Sequence, residues 1–253
     1  MSAVLETQGL TKRFGGVAAV SDVSFSLEEG TVLGVIGPNG AGKSTLINLI
    51  TGHEKPSEGK VTIAGRDVTD EKPWTIAKAR VARTFQIVKP FRNLTVRENV
   101  AIGAMYGPEH SGSANDAIAG ADAVLERVGL IDRAEASPGD LGVADARRLE
   151  MGKALAMNPR LLLLDEVMAG LRPGEIEPAL DLIRSLRDEG VSVLVVEHVM
   201  KAIMAVSDEL LVMHEGQELL HGKPKEVMED ERVIEAYLGK RYAERAKEQD
   251  GDA

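Results

Sequence analysis

The chain has 253 residues and is 43% hydrophobic, which suits one large α/β domain or two small ones and argues against disorder as its main state. Its net charge of -10 argues against broad nucleic-acid binding, and because it contains no cysteine it has neither disulfides nor thiolate metal sites. The N-terminal residues lack the features of a signal peptide, and no run approaches the roughly 20 apolar residues that span a bilayer, so we expect other chains to supply any membrane spans.

The first part of the chain is predicted to form strands around one glycine-rich turn. Two β-like runs, 3–10 and 18–27, precede an apolar strand, a glycine-rich turn and a helical pattern within residues 30–52. Residues 59–68 are predicted to form a further strand bounded by glycines, and 74–86 a short helix that runs into a strand. The pattern indicates a strand-rich layer around a nucleotide loop.

The glycine-rich turn GPNGAGKST fits the pattern G-x-x-x-x-G-K-[ST] between a predicted strand and a predicted helix. Its glycines allow backbone N–H groups to converge on phosphate oxygens, and the following helix adds its positive N-terminal end. The motif places Lys43 to reach the β- and γ-phosphates and the Ser44 hydroxyl to ligate Mg²⁺. We therefore predict that the phosphates of a nucleotide are bound by Gly37, Pro38, Asn39, Gly40, Ala41, Gly42, Lys43, Ser44 and Thr45.

From about residue 91 to 157 the pattern becomes helical. Helices are predicted over 95–105, 114–130 and 144–158, and the proline, glycine and serine content of residues 106–114 indicates an exposed loop between the first two. This part of the chain is predicted to be a helical insert.

After the insert, buried strands alternate with amphipathic helices, as is typical of a parallel sheet covered on both faces. The segments of this alternation are 160–166, 175–190, 191–198 and 199–206. The core is therefore predicted to be α/β and to resume after the insert. The charged end of the chain is almost free of apolar residues and is expected to be a solvated tail.

Two acidic residues follow the apolar run RLLLL. Asp165 and Glu166 stand at the carboxyl end of a predicted parallel strand, where α/β sheets place their ligands. Together with the glycine-rich turn upstream, Asp165 is predicted to support Mg²⁺ and Glu166 to polarise the attacking water.

These motifs together resemble an ATP-binding cassette (ABC) transporter ATPase. Gln86, in RTFQ, stands where that family has its Q-loop glutamine, and His198, in VLVVEH, stands where it has the switch histidine. Phe14, in LTKRFGG, matches the aromatic residue that stacks on adenine. The resemblance covers nearly the whole chain.

The resemblance implies one ABC ATPase domain over residues 1–253. Its P-loop core has a mixed sheet and an N-terminal antiparallel β layer, and we assign it to residues 1–86 and 158–238. The helical signature subdomain is assigned to residues 87–157, and the charged tail to residues 239–253.

The resemblance narrows to one branch of the family. RTFQIVKPFRNLTVRENV, the long segment from EHVMKAIMAV to GKPKEV, and the late VIEAYLG resemble the ATPase subunits of branched-chain or hydrophobic amino acid importers. Importers of urea and short amides, and the lipopolysaccharide-export ATPase, remain alternatives within the transporters. A soluble ABC clamp without a transport role is the alternative from another class.

In this family, two ATP molecules lie between two ATPase subunits, at the cytoplasmic face of the plasma membrane. The resemblance implies permease subunits and a second ATPase, a different chain or another copy, as direct partners, with an external solute-binding protein as an indirect one. Nucleic acid is not an expected partner. The implied catalytic residues are Lys43, Gln86, Glu166 and His198, the implied Mg²⁺ ligands are Ser44, Gln86 and Asp165, and Phe14 and Gly142 complete the nucleotide contacts.

The family signature L-S-G-G-Q is replaced by L-G-V-A-D in residues 141–145. Gly142 takes the place of the serine that would bond the γ-phosphate, and the carboxylate of Asp145 would repel that phosphate. Nearby, Val167 stands where proline is usual. Arg172 stands where the D-loop carries aspartate or asparagine, as a solvated charge or as a residue of the dimer interface.

Three hypotheses explain this signature. In the first, the divergent signature is tolerated in a subfamily that pairs two different ATPase chains. In the second, it makes the two ATP sites unequal, so that the nucleotide facing it turns over slowly. In the third, the chain is a nucleotide-binding regulator without turnover. Because Glu166 and His198 are intact, we favour the second hypothesis, which merges into the first.

Overall fold

The strands of the protein form two sheets in the computed structural model, which describes residues 2–108 and 113–238. In chain order they are β1 (Ala3–Phe14), β2 (Val17–Glu28), β3 (Val32–Ile36), β4 (Glu58–Ile63), β5 (Arg66–Asp67), β6 (Val81–Arg83), β7 (Leu161–Asp165), β8 (Ser192–Val196), β9 (Glu209–His214) and β10 (Gln217–Gly222). One sheet is antiparallel, with the order β2-β1-β4-β5. The other is mixed, with the order β10-β9-β3-β8-β7-β6, and only β10 in it runs antiparallel to its neighbour.

Helices connect the strands of the mixed sheet and form a separate group after β6. In chain order they are α1 (Lys43–Ile50), α2 (Pro73–Lys78), α3 (Val96–Tyr106), α4 (Ala114–Arg127), α5 (Val143–Leu155), α6 (Pro173–Asp188), α7 (Met200–Val206), α8 (Pro224–Glu229) and α9 (Glu231–Leu238). None of these helices has the length and apolar character needed to cross a bilayer.

The mixed sheet lies between two hydrophobic cores, because alternate side chains of its strands point to opposite faces. Leu161 and Leu163 of β7 pack toward α1 and the antiparallel sheet. Leu162 and Leu164 pack toward α6, α7 and the group formed by α3, α4 and α5. With both faces covered, β3, β7 and β8 are buried along their whole lengths, as their continuous apolar sequences require.

The first two helices of the α3–α5 group begin at capping boxes. Thr95 Oγ1 accepts a hydrogen bond from Glu98 N at 3.1 Å, and Glu98 Oε2 accepts one from Thr95 N at 2.7 Å. Ser113 and Asp116 make the same pair of contacts at the start of α4. These caps satisfy N–H groups that a helix leaves unpaired in its first turn, and they set where both helices begin.

The α/β fold with a mixed sheet, an antiparallel β layer and a helical insert is the fold class that the sequence predicts, and it is confirmed. The predicted helices of the insert differ from the observed ones by a few residues at their ends. Strands β9 and β10 were not predicted, and they extend the mixed sheet beyond β3. The predicted charged tail, residues 239–253, lies outside the described residues.

Candidate functional site

The glycine-rich loop joins the carboxyl end of β3 to α1, and its glycines are required by its geometry. Gly37 has φ 153° and Gly42 has φ 100°, values that residues with a side chain rarely adopt. A Cβ at Gly37 would lie 2.2 Å from Met213 O, and one at Gly42 would lie 2.4 Å from Ala19 O. Side chains at these two positions would therefore push the loop away from β9 and β2.

The side chain of Lys43 binds the backbone of its own loop. Its Nζ donates to Gly37 O at 2.7 Å and to Pro38 O at 3.0 Å. Burial lowers the pKa of Lys43, while the carboxylates of Glu166 and Asp165 act in the opposite direction. The ammonium group is thus held by two backbone carbonyls at the place where a phosphate would compete for it.

The start of α1 is suited to an anion. No side chain caps the helix at Gly42, and the first turn contains no acidic residue. The first N–H groups of a helix have no partner within the helix, and the helix dipole adds partial positive charge there. A cleft of about 780 Å³ lies over this helix end, lined by loop residues together with Ala19, Gln86, Glu166 and His198.

Asp165 ends β7, directly before the cleft residue Glu166, and is only 3% exposed. Its backbone N–H donates to Thr84 Oγ1 at 3.1 Å, and its Oδ2 lies 3.5 Å from Arg83 Nη2. Burial raises the pKa of Asp165, and Arg83 is the main charge that opposes the shift. The second carboxylate oxygen, Oδ1, is buried and has no hydrogen-bond partner among residues 2–108 and 113–238.

The unpartnered Oδ1 of Asp165 bears on whether the site fits Mg²⁺. The buried Oδ1 of Asp165 and the hydroxyl of Ser44, an exposed residue that lines the cleft, are oxygen ligands of the type that Mg²⁺ prefers. Within residues 2–108 and 113–238, no group of three or more His, Cys, Asp or Glu side chains could hold a metal by itself. The residues present therefore fit an ion that takes its other ligands from phosphate and water.

Three side chains from separate segments meet above the loop. Glu166 Oε2 accepts a hydrogen bond from Gln86 Nε2 at 2.7 Å, and Glu166 Oε1 lies 2.5 Å from His198 Nε2. Glu166 is held in the left-handed region, with φ 52°, while its N–H donates to Val196 O at 2.9 Å. A non-glycine residue in this conformation is uncommon, and here it turns the carboxylate toward Gln86 and His198.

The two predicted nucleotide contacts that are not part of the glycine-rich loop, Phe14 and Gly142, do not line this cleft. Phe14 is half-exposed at the end of β1, where the ammonium of Lys12 lies 4.9 Å from its ring centroid. Gly142 is the residue that precedes α5, and no atom lies within 4 Å of the position its Cβ would take. Neither residue lines the cleft of this chain, so both would need a ligand or a second chain to act on a nucleotide.

Two buried charged residues at the site were not predicted from the sequence. Glu197 is 1% exposed, and its Oε1 accepts a hydrogen bond from Met168 N at 2.7 Å. Burial raises the pKa of Glu197 to about 7. Arg83 donates to Asn48 Oδ1 at 2.8 Å and faces Asp165. The signal for Glu197 was available, because it is an acid directly after the apolar run VLVV, just as Asp165 is an acid directly after LLLL.

Comparisons with known proteins show what this arrangement is similar to. The family model described as ABC transporter matches residues 20–169, and the model described as branched-chain amino acid ATP-binding cassette transporter matches residues 218–243. The high-affinity branched-chain amino acid transport ATP-binding protein LivG of Salmonella typhimurium is 38% identical over 249 residues, which cover 93% of this chain and 98% of that protein. BraF of Pseudomonas aeruginosa, described in the same words, is 39% identical over the same shares of both chains.

Solved structures with this fold are also ATP-binding cassettes. A nucleotide-free ATP-binding cassette from an ABC transporter matches with a TM-score of 0.85 and 32% identity, covering 94% of this chain and 100% of that one. The cassette MJ0796, solved as a dimer in a post-hydrolysis state bound to ADP and Pi, matches with a TM-score of 0.80 and 25% identity, covering 87% and 98% of the two chains. These similarities confirm the predicted P-loop fold.

The buried carboxyl of Glu197 predicts a pH-dependent stability. Because its pKa is about 7 in the folded protein against 4.5 for an unperturbed glutamate, its contribution is complete below 4.5 and is lost as the pH rises through 7. Glu197→Gln should therefore raise the free energy of unfolding by about 3 kcal/mol at about pH 8 and change it little at about pH 5.

Denaturant unfolding across this pH range measures the difference. Glu126→Gln, at an exposed glutamate of α4, is the control and should leave the pH profile of the wild-type protein unchanged. Parallel pH profiles for Glu197→Gln and the wild-type protein would show that the carboxyl of Glu197 does not titrate with a raised pKa.

Proposed function

The chain belongs to the ABC transporter family, and we propose that it hydrolyses ATP to power the import of branched-chain or other hydrophobic amino acids through a membrane permease. The observation that carries the proposal is the meeting of Gln86, Glu166 and His198 over the loop that ends at Lys43. The substrate class is supported by the names of the relatives and by the second family model, which covers the C-terminal part of the chain.

The protein's part in phosphoryl transfer is to position groups and to stabilise charge. Backbone N–H groups of the loop and of the first turn of α1 would bind the phosphates. Lys43 would exchange the carbonyls of Gly37 and Pro38 for the β- and γ-phosphates, since its ammonium gains more from an anion than from neutral oxygens. Phe14 would stack on the adenine ring.

Glu166 is the group proposed to orient and polarise the attacking water. Its carboxylate already binds side chains from two other segments, Gln86 and His198, so its position depends on both. His198 would contact the γ-phosphate. Asp165, Ser44 and Gln86 would hold Mg²⁺, which supplies positive charge against the charge that develops on the phosphate oxygens.

A second cassette is part of the proposal. Gly142 and the rest of the divergent signature lie outside this chain's own cleft, and a related cassette was solved as a dimer. We propose that the N-terminus of α5 faces the nucleotide of a partner cassette, which we propose to be a different chain.

The two ATP sites of that dimer are proposed to be unequal. Helix α1 has no acid in its first turn, whereas α5 has Asp145, whose carboxylate lies 3.3 Å from Arg148 Nη1. This chain's loop would therefore hold its ATP well, while a nucleotide facing Asp145 would be held less well. Arg172, exposed before α6, is placed in the proposed dimer interface.

The permease is proposed to dock where the helical subdomain, residues 87–157, meets the nucleotide-binding core, residues 1–86 and 158–238. An apolar hollow of about 270 Å³ lies at this boundary: Trp74, Ile76 and Phe85 line it from the core, and Met157 lines it from the subdomain. Trp74 is 62% exposed, so its indole is available to a partner. The assembly would then be peripheral on the cytoplasmic face of the membrane, with the solute-binding protein outside.

Glu166→Gln tests the catalytic assignment. The variant should bind ATP as tightly as the wild-type protein. Its rate of hydrolysis should be about one hundredth of the wild-type rate or lower, since an amide cannot accept the proton of water. Retained ATP after gel filtration and the steady-state rate of phosphate release measure the two effects. Glu126→Gln is the control, and unchanged hydrolysis by Glu166→Gln would remove Glu166 from its proposed role.

Asp145→Gln tests the proposed repulsion at the signature. Removing one negative charge near a γ-phosphate should tighten ATP-driven dimerisation about fivefold, because a pair of charges at about 4 Å contributes ~1 kcal/mol in water. Analytical ultracentrifugation of the two cassettes with a non-hydrolysable ATP analogue, which persists at both sites, gives the dissociation constant. Asp132→Asn removes the same charge from an exposed turn and is the control. An equal effect of both variants would assign the change to net charge alone.

Recovery of the tagged chain from membranes tests the transport assignment. We expect the chain to be recovered together with two multi-spanning proteins. We also expect the ATPase rate of this complex to rise when a solute-binding protein loaded with a branched-chain amino acid is added.

Trp74→Asp tests the docking surface. The variant should lose the membrane partners and keep ATP binding, because a charge in the hollow is poorly solvated. Met204→Asp, on α7, is the matched control. A wholly soluble set of partners would contradict the transport function.

A further inference from the structure

Helix α5 carries three side chains on one face that bind the backbone of Gln86 and of Lys89, three residues later. Arg147 Nη1 donates to Gln86 O at 2.6 Å. Glu150 Oε1 accepts from Lys89 N at 3.1 Å, and Lys153 Nζ donates to Lys89 O at 3.0 Å. Residues spaced by three along a helix lie on one face, so these contacts form one continuous row, which we call the α5 row.

The other two residues of the α5 row, Glu150 and Lys153, make further contacts. Glu150 is 4% exposed, and Lys153 Nζ lies 2.8 Å from Glu150 Oε1, so this ion pair offsets the buried charge of Glu150. Lys153 Nζ also lies 5.6 Å from the ring centroid of Phe91, whose N–H donates to Asn99 Oδ1 of α3 at 2.8 Å. Glycine at position 103 lets α3 lie close to α5, because a Cβ there would be 2.2 Å from Lys153 O. Residues 86–91 are thus bound to α3 and α5 together.

Gln86 is therefore held at two points by different parts of the protein. Its carbonyl oxygen is bound by Arg147 of α5, and its amide donates to Glu166, which follows β7. Arg147 is half-buried and makes no ion pair with a carboxylate among the described residues. The positive charge of Arg147 is one of the influences that lower the pKa of Asp165 and of Glu197, whereas burial raises both pKa values.

We propose that Arg147 is a positioning residue that acts through the carbonyl of Gln86. By holding that carbonyl, it keeps the amide of Gln86 against Glu166 and makes turnover at this chain's own loop depend on the position of α5. The proposal rests on the proposed function, in which the N-terminus of α5 faces the partner's nucleotide. A shift of α5 at the partner's site then moves Gln86 relative to Glu166, so the divergent signature influences the site to which it does not belong.

The test is a double-variant cycle in the assembled transporter complex. Arg147→Met should lower kcat about 10-fold with ATP affinity within a factor of two, because small misplacement of a positioned group costs rate more than binding. Arg147→Lys keeps one donor and should recover part of the rate. In a Gln86→Ala background, Arg147→Met should have no further effect on kcat, since the amide that it positions is absent.

Arg184→Met, at a half-buried arginine of α6 that pairs with Glu177 and Asp181, is the matched control and should leave kcat unchanged. Thermal unfolding of each variant shows whether it is folded. Equal effects of Arg147→Met with and without the Gln86 amide, or parallel losses of kcat and ATP affinity, would overturn the positioning role and leave the ATPase function intact. Absence of ATP turnover in the wild-type complex would overturn both proposals.

Discussion

The buried parallel strands of the mixed sheet are the constraint on which the site depends. Because β3, β7 and β8 run side by side and in the same direction, the residues that follow them meet at one edge. The glycine-rich loop follows β3, Asp165 and Glu166 end and follow β7, and Glu197 and His198 follow β8. Side chains that alternate between two hydrophobic cores hold the strands in this register, so packing far from the cleft sets its geometry.

The same burial creates the electrostatics of the site. It raises the pKa of Asp165 and of Glu197 and lowers that of Lys43, so each of these groups is less stable in its charged form than it would be in water. The charge of Asp165 is offset partly by Arg83, and Asp165 retains one carboxylate oxygen without a partner in the described part of the chain. A folded protein keeps such groups where a ligand of opposite charge completes them, and a phosphate with a divalent cation meets that need.

The helical subdomain joins this edge through a short segment of backbone. Gln86 reaches Glu166 with its side chain, while its carbonyl and the residues up to Phe91 are bound to α5 and α3. The helix that begins at the divergent signature is therefore also the helix that binds the carbonyl of Gln86. The two proposals made above, unequal nucleotide sites and communication between them, both rest on this one helix, since α5 has an acid in its first turn and a cation, Arg147, two residues later.

The sequence by itself determined the family, the α/β fold, the glycine-rich loop and the order of the motifs, because these depend on local patterns such as glycine spacing and continuous apolar runs. It could also place Asp165 and Glu166 at a strand end. Only the tertiary structure decided that Gln86 and His198 both contact Glu166, that Glu197 is buried, and that Arg147 binds the carbonyl of Gln86. The three hydrogen bonds join residues 32 to 80 positions apart, and no local pattern encodes contacts set by how strands and helices pack.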